Sequence, residues 1–186
     1  MPFTPRLSSA GMRGNSWWYS SGNLLYAAGY GLPNCTCYAY GRYAEIRGAF
    51  APLPTRNAGY WYDLATRFQR GSTPALGSII CYYDPKGKYA GHVAVVEVIH
   101  SNGDITTSNS AWKGTYFWTE RVTRASGYRA NWAKRKGYVV KGFIYNDEYE
   151  PDDPENPEMP EDPVPPAPSG KDNDKMPLWL MCEWWW

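Results

Sequence analysis

The sequence predicts an α+β domain in which N-terminal helices pack on an antiparallel β-sheet. In the first half of the chain, candidate helices carry clear start and stop signals. The apolar pattern then changes to short runs of β-branched and aromatic residues separated by turns. Helices followed by a run of strands are typical of α+β architecture, in which the helices gather on a face of the sheet.

The principal helix is predicted over residues 35–47. Asn34 is a favourable N-cap before it, and Gly48 is a favourable residue after its end. A second helix is predicted over residues 57–68, with a Pro-rich loop between the two helices. Residues 1–31 are rich in Gly, Ser, Asn and aromatic residues, and we predict an irregular, packed loop region there.

The remainder of the domain reads as strands joined by tight turns. Asn102 and Gly103 are favourable residues for a two-residue hairpin turn. Such a turn would place Val96 opposite Asn109 on the neighbouring strand. Strands are predicted over residues 77–83, 92–100, 105–109, 116–122 and 138–145.

The charge distribution divides the chain into three parts. Residues 1–146 form the predicted domain and carry a net charge of +11, whereas residues 147–175 carry −9 and contain eight prolines. We expect the second segment to be a disordered or polyproline-like spacer. The Trp-rich segment 176–186 is expected to dock onto a partner protein. The basic domain indicates an anionic partner, with nucleic acid and cell-wall polymer both open from charge alone.

Neither a membrane span nor a metal site is predicted. The N-terminus lacks the apolar core of a signal peptide, and no apolar run reaches the ~20 residues that a membrane-spanning helix needs. The chain has four cysteines and two histidines without a second cysteine pair at zinc-like spacing. We therefore expect no metal and no other cofactor.

Cys35 and His92 form the most informative pair in the sequence. Cys35 lies in the first turn of a predicted helix, where free N–H groups and the helix dipole favour a thiolate, and His92 begins a later strand. A cysteine and a histidine so placed indicate a papain-like arrangement for nucleophilic catalysis. Asn109 lies on the same sheet face as His92, but a flat hairpin would separate them by about 13 Å. A bulge, strong twist or longer turn must bring them together.

Three segments resemble motifs of CHAP domains, the cysteine- and histidine-dependent amidohydrolases/peptidases of bacterial cell-wall lysis. Residues 34–38 (Asn-Cys-Thr-Cys-Tyr) resemble the Gln-Cys-Thr-Trp-Tyr signature of that family. Residues 74–80 resemble its Pro-x-x-Gly-Asp/Ser-Ile strand. Residues 91–97 (Gly-His-Val-Ala-Val-Val-Glu), followed by 102–105, resemble its second motif. The resemblance covers about residues 15–146.

The resemblance implies a role for each site residue. Cys35 would be the nucleophile, and His92 the general base and later the acid. Asn109 stands where many members have Glu, and a neutral amide stabilises an imidazolium less than a carboxylate does. Asn34, with the Cys35 N–H group, is expected to stabilise the oxyanion. Some relatives bind calcium upstream of the cysteine, but residues 1–44 contain no Asp or Glu, so no calcium is expected there.

The implied function is hydrolysis of a peptidoglycan amide bond by a Cys-His-Asn thiol mechanism. The enzyme would be an N-acetylmuramoyl-L-alanine amidase or an endopeptidase, plausible for a phage endolysin or a virion-associated lysin. It would stay in the host cytoplasm until holin-mediated release, or travel in the virion, with no nucleic acid as partner. Aromatic residues are expected to line a substrate groove: Trp17, Trp18, Tyr82, Tyr83 and Trp112.

Two alternatives remain open at this stage. The first is a wall-binding module that has kept the fold and lost most or all catalysis, which the neutral Asn109 favours. The second is a cysteine protease with a protein substrate, for which the Cys-His pair is the only sequence support.

Overall fold

The computed structural model describes residues 3–111 and 114–148. Trp112, the Trp-rich segment 176–186 and all but the first two residues of the expected spacer (147–175) lie outside the described residues. Five α-helices are present in the described part: α1 (Ser16–Tyr19), α2 (Leu24–Ala27), α3 (Cys35–Arg47), α4 (Trp61–Leu64) and α5 (Asn131–Lys136).

A six-stranded antiparallel sheet forms the centre of the fold. Its spatial order is β1-β6-β2-β3-β4-β5, so only β2 to β5 follow chain order. The predicted α+β class, with helices packed on an antiparallel sheet, is therefore confirmed. The strands are β1 (Phe68–Gly71), β2 (Ile79–Tyr83), β3 (His92–Ile99), β4 (Ile105–Asn109), β5 (Trp118–Val122) and β6 (Val139–Glu148).

Helix α3 is the central element on one face of the sheet. The Asn34 side chain caps its first turn, and Gly48 ends it in the left-handed conformation with φ of 75°. Every residue from Cys35 to Ala44 is buried. The helix packs with the short N-terminal helices against apolar side chains of β2, β3 and β6, including Ile79, Val93 and Val95. This burial fixes the position of Cys35 at the N-terminal end of α3.

The opposite face of the sheet is covered by α5. Trp132 and Ala133 of this helix join a second buried cluster with Tyr82, Val96 and Phe143. Since β3 has buried side chains on both faces, its sequence reads as a continuous apolar run rather than as an alternating one.

Several elements differ from the sequence prediction. The predicted second helix is confined to a 3₁₀ turn (Ala58–Tyr60) followed by α4. The prediction that it continues through Phe68 is wrong, because Phe68–Gly71 forms an edge strand paired with β6. Two short helices, α1 and α2, occupy the region expected to be irregular, and α5 was not predicted.

The β3–β4 hairpin has a different register from the predicted one. The His100 N–H group donates to the Asp104 carbonyl at 2.8 Å, so the loop holds three residues rather than two. A bulge at Glu97 then shifts the pairing again, and Val96 lies opposite Thr107. These two one-residue shifts move Asn109 two positions closer to His92. Because two shifts preserve side-chain alternation, Asn109 stays on the same face as His92.

A buried ion pair joins α3 to this hairpin. The Arg42 guanidinium donates two hydrogen bonds to the Glu97 carboxylate, from Nε at 3.0 Å and from Nη2 at 2.8 Å. Ser108 of β4 donates to Glu97 Oε1 at 2.6 Å, and Tyr38 of α3 donates to Ser108 at 2.8 Å. Arg6 of the N-terminal segment contributes its backbone N–H group to the same carboxylate at 2.8 Å. The network thus holds four parts of the chain together.

None of the helices in residues 3–111 and 114–148 has the length and apolar character needed to cross a membrane.

Replacing Glu97 by Ala is expected to lower the free energy of unfolding by about 3 kcal/mol, because the buried Arg42 loses its fully buried partner and keeps only the more exposed Glu45. Urea denaturation measures the change. The control is Asp63→Ala, which removes the carboxylate partner of Lys141 in a far more exposed pair and should cost at most about 1 kcal/mol. Equal losses in the two variants would contradict the role given to the buried pair.

Candidate active site

Cys35 is the first residue of α3 and is fully buried. Its side chain forms a hydrogen bond with the ring of His92. The first-turn N–H groups of a helix have no intrahelical acceptor, and their partial positive charge stabilises an anion at this position. The sequence-predicted Cys-His pair is therefore brought into direct contact.

His92 is the first residue of β3, and the backbone just before it is tightly packed. Gly91 has φ of +82°, and a Cβ atom there would lie 2.4 Å from Gly59 N and 2.5 Å from Tyr82 O. Only glycine fits such a close approach of three backbone segments without displacement. The His92 side chain is 4% exposed, so its orientation is fixed by buried neighbours.

Asn109, at the end of β4, contacts the other side of the imidazole. Its Oδ1 lies 3.1 Å from His92 Nε2, and its Nδ2 donates to Thr107 Oγ1 at 3.0 Å. Because the Asn109 amide nitrogen is already used as a donor, we assign Oδ1 as the acceptor and Nε2 as the protonated nitrogen. Nδ1 is then the ring nitrogen available to Cys35.

Opposing effects act on the pKa of His92. Burial alone would lower it, because a charged imidazolium is poorly solvated there. The negative charge and hydrogen bond of Cys35, the hydrogen bond to Asn109 and the charge of Glu120 outweigh burial and raise the pKa above its ordinary value. In this arrangement an anionic Cys35 sulfur and a protonated His92 ring would each stabilise the other.

Three aromatic rings surround the His92 imidazole. The Trp118 ring is stacked on it with centroids 5.9 Å apart, and the Trp132 ring meets it edge-on at 4.9 Å. Tyr82 lies at 6.2 Å. Sequence reasoning missed Trp118 and Trp132. The position of Trp118 could have been inferred, because a strand paired with β4 places one of its residues opposite Asn109. Trp132 could not, because it lies on α5, a helix that the sequence did not predict.

Asn34 has a structural task at this position. Its Oδ1 accepts hydrogen bonds from the Cys37 N–H group at 2.9 Å and from Thr36 Oγ1 at 2.7 Å. That oxygen caps the helix, so a contribution to an oxyanion hole falls to the amide Nδ2 and to the Cys35 N–H group.

The structure contradicts two residues of the expected aromatic groove. Trp18 and Tyr82 are 0% and 1% exposed, so the expectation that they line an open groove is wrong. Trp18 is a core residue whose indole N–H donates to the Tyr38 carbonyl, and Tyr82 packs beside the His92 ring. Trp17 and Tyr83 are half-buried, and Trp112 lies outside the described residues.

The other described cysteines differ electrostatically from Cys35. Burial raises the pKa of the Cys37 thiol to about 12, and burial also strongly raises the pKa of Cys81. Both therefore stay protonated at neutral pH, and their thiols donate to the backbone carbonyls of Trp18 and Ile79 respectively. Within residues 3–111 and 114–148, no group of three His, Cys, Asp or Glu side chains is arranged to hold a metal ion.

Replacing Asn34 by Ala is expected to lower the free energy of unfolding by about 1 kcal/mol, because the first turn of α3 loses its cap. Asn34→Asp keeps a capping oxygen and should recover most of that stability. Thermal or urea denaturation distinguishes the two variants. An alanine variant as stable as the wild type would contradict the capping role.

Comparison with known proteins identifies relatives of the same segment. The CHAP domain family model matches residues 25–111. The probable autolysin LDP of Staphylococcus aureus is 39% identical over 92 residues, which are 48% of this chain and 30% of that protein. The staphylococcal secretory antigen ssaA2 of the same species is 34% identical over 107 residues, 56% of this chain and 36% of that protein. The chain thus spans about a third of the length of these relatives.

A solved structure also resembles the fold. The crystal structure of an N-acetylmuramoyl-L-alanine amidase from Staphylococcus aureus matches with a TM-score of 0.47 and 23% sequence identity. The match covers 61% of this chain and 30% of that one.

Proposed function

Residues 25–111 of this chain belong to the CHAP family, and from that premise we propose that the protein is a peptidoglycan hydrolase that cleaves an amide bond with Cys35 as nucleophile. The observation that carries the proposal is the hydrogen bond between Cys35, at the start of a helix, and a buried His92 whose far side contacts Asn109. A thiol so paired is activated for attack on a carbonyl carbon.

The first half of the proposed reaction forms an acyl-enzyme. His92 Nδ1 holds the thiol proton, and the Cys35 thiolate attacks the amide carbonyl carbon. The resulting tetrahedral intermediate collapses when the C–N bond breaks and the leaving amine takes the proton from the imidazolium. The product is a thioester on Cys35 and a free amine end on the wall fragment.

The second half of the proposed reaction hydrolyses the thioester and frees Cys35. His92, now neutral, accepts a proton from a water molecule as that water attacks the thioester carbonyl. Collapse of this second intermediate gives a carboxylic acid and restores the thiolate–imidazolium pair. Asn109 keeps the His92 ring in the same orientation in both halves of the reaction. Its Oδ1 accepts the hydrogen bond from Nε2–H whether or not Nδ1 carries a proton.

The oxyanion of both intermediates needs hydrogen-bond donors beside Cys35. The Cys35 N–H group belongs to the first turn of α3 and has no intrahelical acceptor. Asn34 adds an amide N–H donor while its oxygen caps the helix. Two such donors aimed at the developing charge are the usual form of an oxyanion hole.

Turbidity loss of purified Gram-positive cell walls tests the proposal. The wild type is expected to clear the walls, whereas Cys35→Ala should lose essentially all activity. Cys81→Ala is the matched control, because it removes another buried thiol, whose hydrogen bond goes to the Ile79 carbonyl. Equal clearing by wild type and Cys35→Ala would overturn the thiol mechanism.

The new ends of the fragments identify the bond that is cut. A new amine on L-alanine with a free lactyl carboxyl group on muramic acid indicates an amidase. A new amine within the stem peptide or cross-bridge indicates an endopeptidase. Binding to walls without new ends would instead support the wall-binding module, and cleavage of protein substrates alone would support a cysteine protease.

Replacing Asn109 by Ala is expected to lower kcat by about 10²-fold with little change in KM, because the imidazole loses its orienting acceptor but the substrate surface remains. Initial rates of wall hydrolysis at several wall concentrations measure the split. His100→Ala is the control, because His100 bonds to Thr106 at the far end of the hairpin. A change confined to KM would contradict the orienting role.

The source of the protein stays a prediction. We propose a phage-encoded lysin, on the expectations drawn from the sequence, while the relatives compared above are staphylococcal proteins. The proposal that the Trp-rich segment 176–186 docks onto a phage structural protein or another partner protein rests on sequence alone.

A further inference from the structure

The proposed imidazolium of His92 is buried, and its orienting partner Asn109 carries no charge. The thiolate–imidazolium pair places a positive charge on a ring that is 4% exposed. Asn109 is neutral and offers an oxygen dipole rather than a charge. A buried cation without a nearby anion other than its own reaction partner is costly, so a second source of negative charge would stabilise the working state of the site.

Glu120 of β5 carries a carboxylate whose negative charge acts on the His92 ring. Its Oε1 accepts a hydrogen bond from the indole N–H group of Trp132 at 2.7 Å. The Trp132 ring in turn meets the His92 ring at 4.9 Å between centroids, at an interplanar angle of 75°. Glu120 is half-buried, so solvent screens its charge only in part.

The pairing of β4 with β5 also places Glu120 near the residues that surround His92. Glu120 lies directly opposite Thr107 on β4, and Trp118 lies opposite Asn109. Thr107 Oγ1 accepts the hydrogen bond from the Asn109 amide. Glu120 therefore contacts the indole of Trp132 directly and lies opposite Thr107, the residue that holds the Asn109 amide.

The groups facing His92 from each packed element are few. Cys35 comes from α3, Asn109 from β4, and Tyr82 from β2, where burial raises the pKa of its hydroxyl and keeps it neutral. Helix α5 carries Lys134, Arg135 and Lys136 in its last turn; the first two are exposed, and the Lys136 amine lies over the Tyr89 ring. Cys35 and Glu120 are the two acidic groups whose charges act on the ring.

We propose that Glu120 is a positioning residue that acts through Trp132: it anchors the indole against the His92 ring and supplies the negative charge that the neutral Asn109 does not. This inference rests on the proposed function, because it assigns a role within the same Cys-His reaction. Glu120 itself does not contact Cys35 or the substrate carbonyl.

Glu120→Gln separates charge from anchoring. The amide oxygen of Gln can still accept the indole N–H hydrogen bond, so the variant removes the charge and keeps the contact. Asp63→Asn is the matched control, because it removes one carboxylate charge from α4, where Asp63 pairs with Lys141. A second variant, Trp132→Phe, keeps an aromatic ring beside His92 and removes the indole N–H donor.

The readout is the pKa of His92, measured by NMR on protein labelled at the histidine Cε1 position. The chain has only two histidines, so His100 serves as an internal reference in every sample. Glu120→Gln should lower the pKa of His92 by about 0.5 unit and leave His100 and the Asp63→Asn control unchanged. Trp132→Phe should shift it in the same direction, and the double variant should shift it no further than the larger single change.

Wall hydrolysis gives the second readout. The alkaline limb of the kcat profile should move to lower pH in Glu120→Gln by the same amount, with KM unchanged, because less imidazolium remains to protonate the leaving amine. A His92 pKa within about 0.1 unit of wild type in Glu120→Gln, or additive shifts in the double variant, would overturn the proposal. The NMR titration needs no substrate, so it decides the role of Glu120 even if the wild type fails to hydrolyse walls.

Discussion

The buried ion pair between Arg42 and Glu97 is the contact on which the geometry of the site depends. Arg42 lies two turns along α3 from Cys35, and Glu97 lies on the strand that begins with His92. A paired guanidinium and carboxylate in a buried interface tolerate little displacement, since sliding the helix by a turn would leave the Glu97 carboxylate buried without its guanidinium, while Arg42 would keep only Glu45 of its own helix. The pair therefore fixes how far Cys35 lies from His92, the proposed nucleophile and base, although neither Arg42 nor Glu97 takes part in the proposed reaction.

Glu97 fixes the third member of the site as well, because it is also the bulged residue of β3. The three-residue loop of the hairpin would by itself shift the register by one residue and turn Asn109 away from His92. The bulge adds a second shift and turns it back, two positions closer. Ser108, the neighbour of Asn109, donates to the Glu97 carboxylate and holds β4 in that register. One buried carboxylate thus sets both the helix–sheet distance and the strand pairing.

Local signals in the sequence were sufficient for part of this structure. Asn34 and Gly48 mark the ends of α3, as the capping rules require. His92 and Asn109 share a face, as alternation predicts, only because the loop and the bulge each shift the register by one residue and the two shifts preserve the alternation. The register was beyond local reasoning, because Asn102-Gly103 suits both loop lengths and the partner of Glu97 lies 55 residues away. The predicted helix wrongly includes Phe68 for the same reason: the strand Phe68–Gly71 depends on pairing with β6, far along the chain.

Aromatic enclosure explains how a neutral Asn109 is compatible with a charged His92. The rings of Trp118, Trp132 and Tyr82 exclude water from the imidazole, which weakens its solvation but also strengthens every charge that still acts on it. In such surroundings an anion need not touch the ring to matter. A carboxylate in direct contact would hold the imidazolium proton more firmly, and in the proposed mechanism the leaving amine must take that proton. A neutral acceptor in contact with the ring, together with a negative charge one aromatic ring further away, stabilises the imidazolium and still allows it to release its proton.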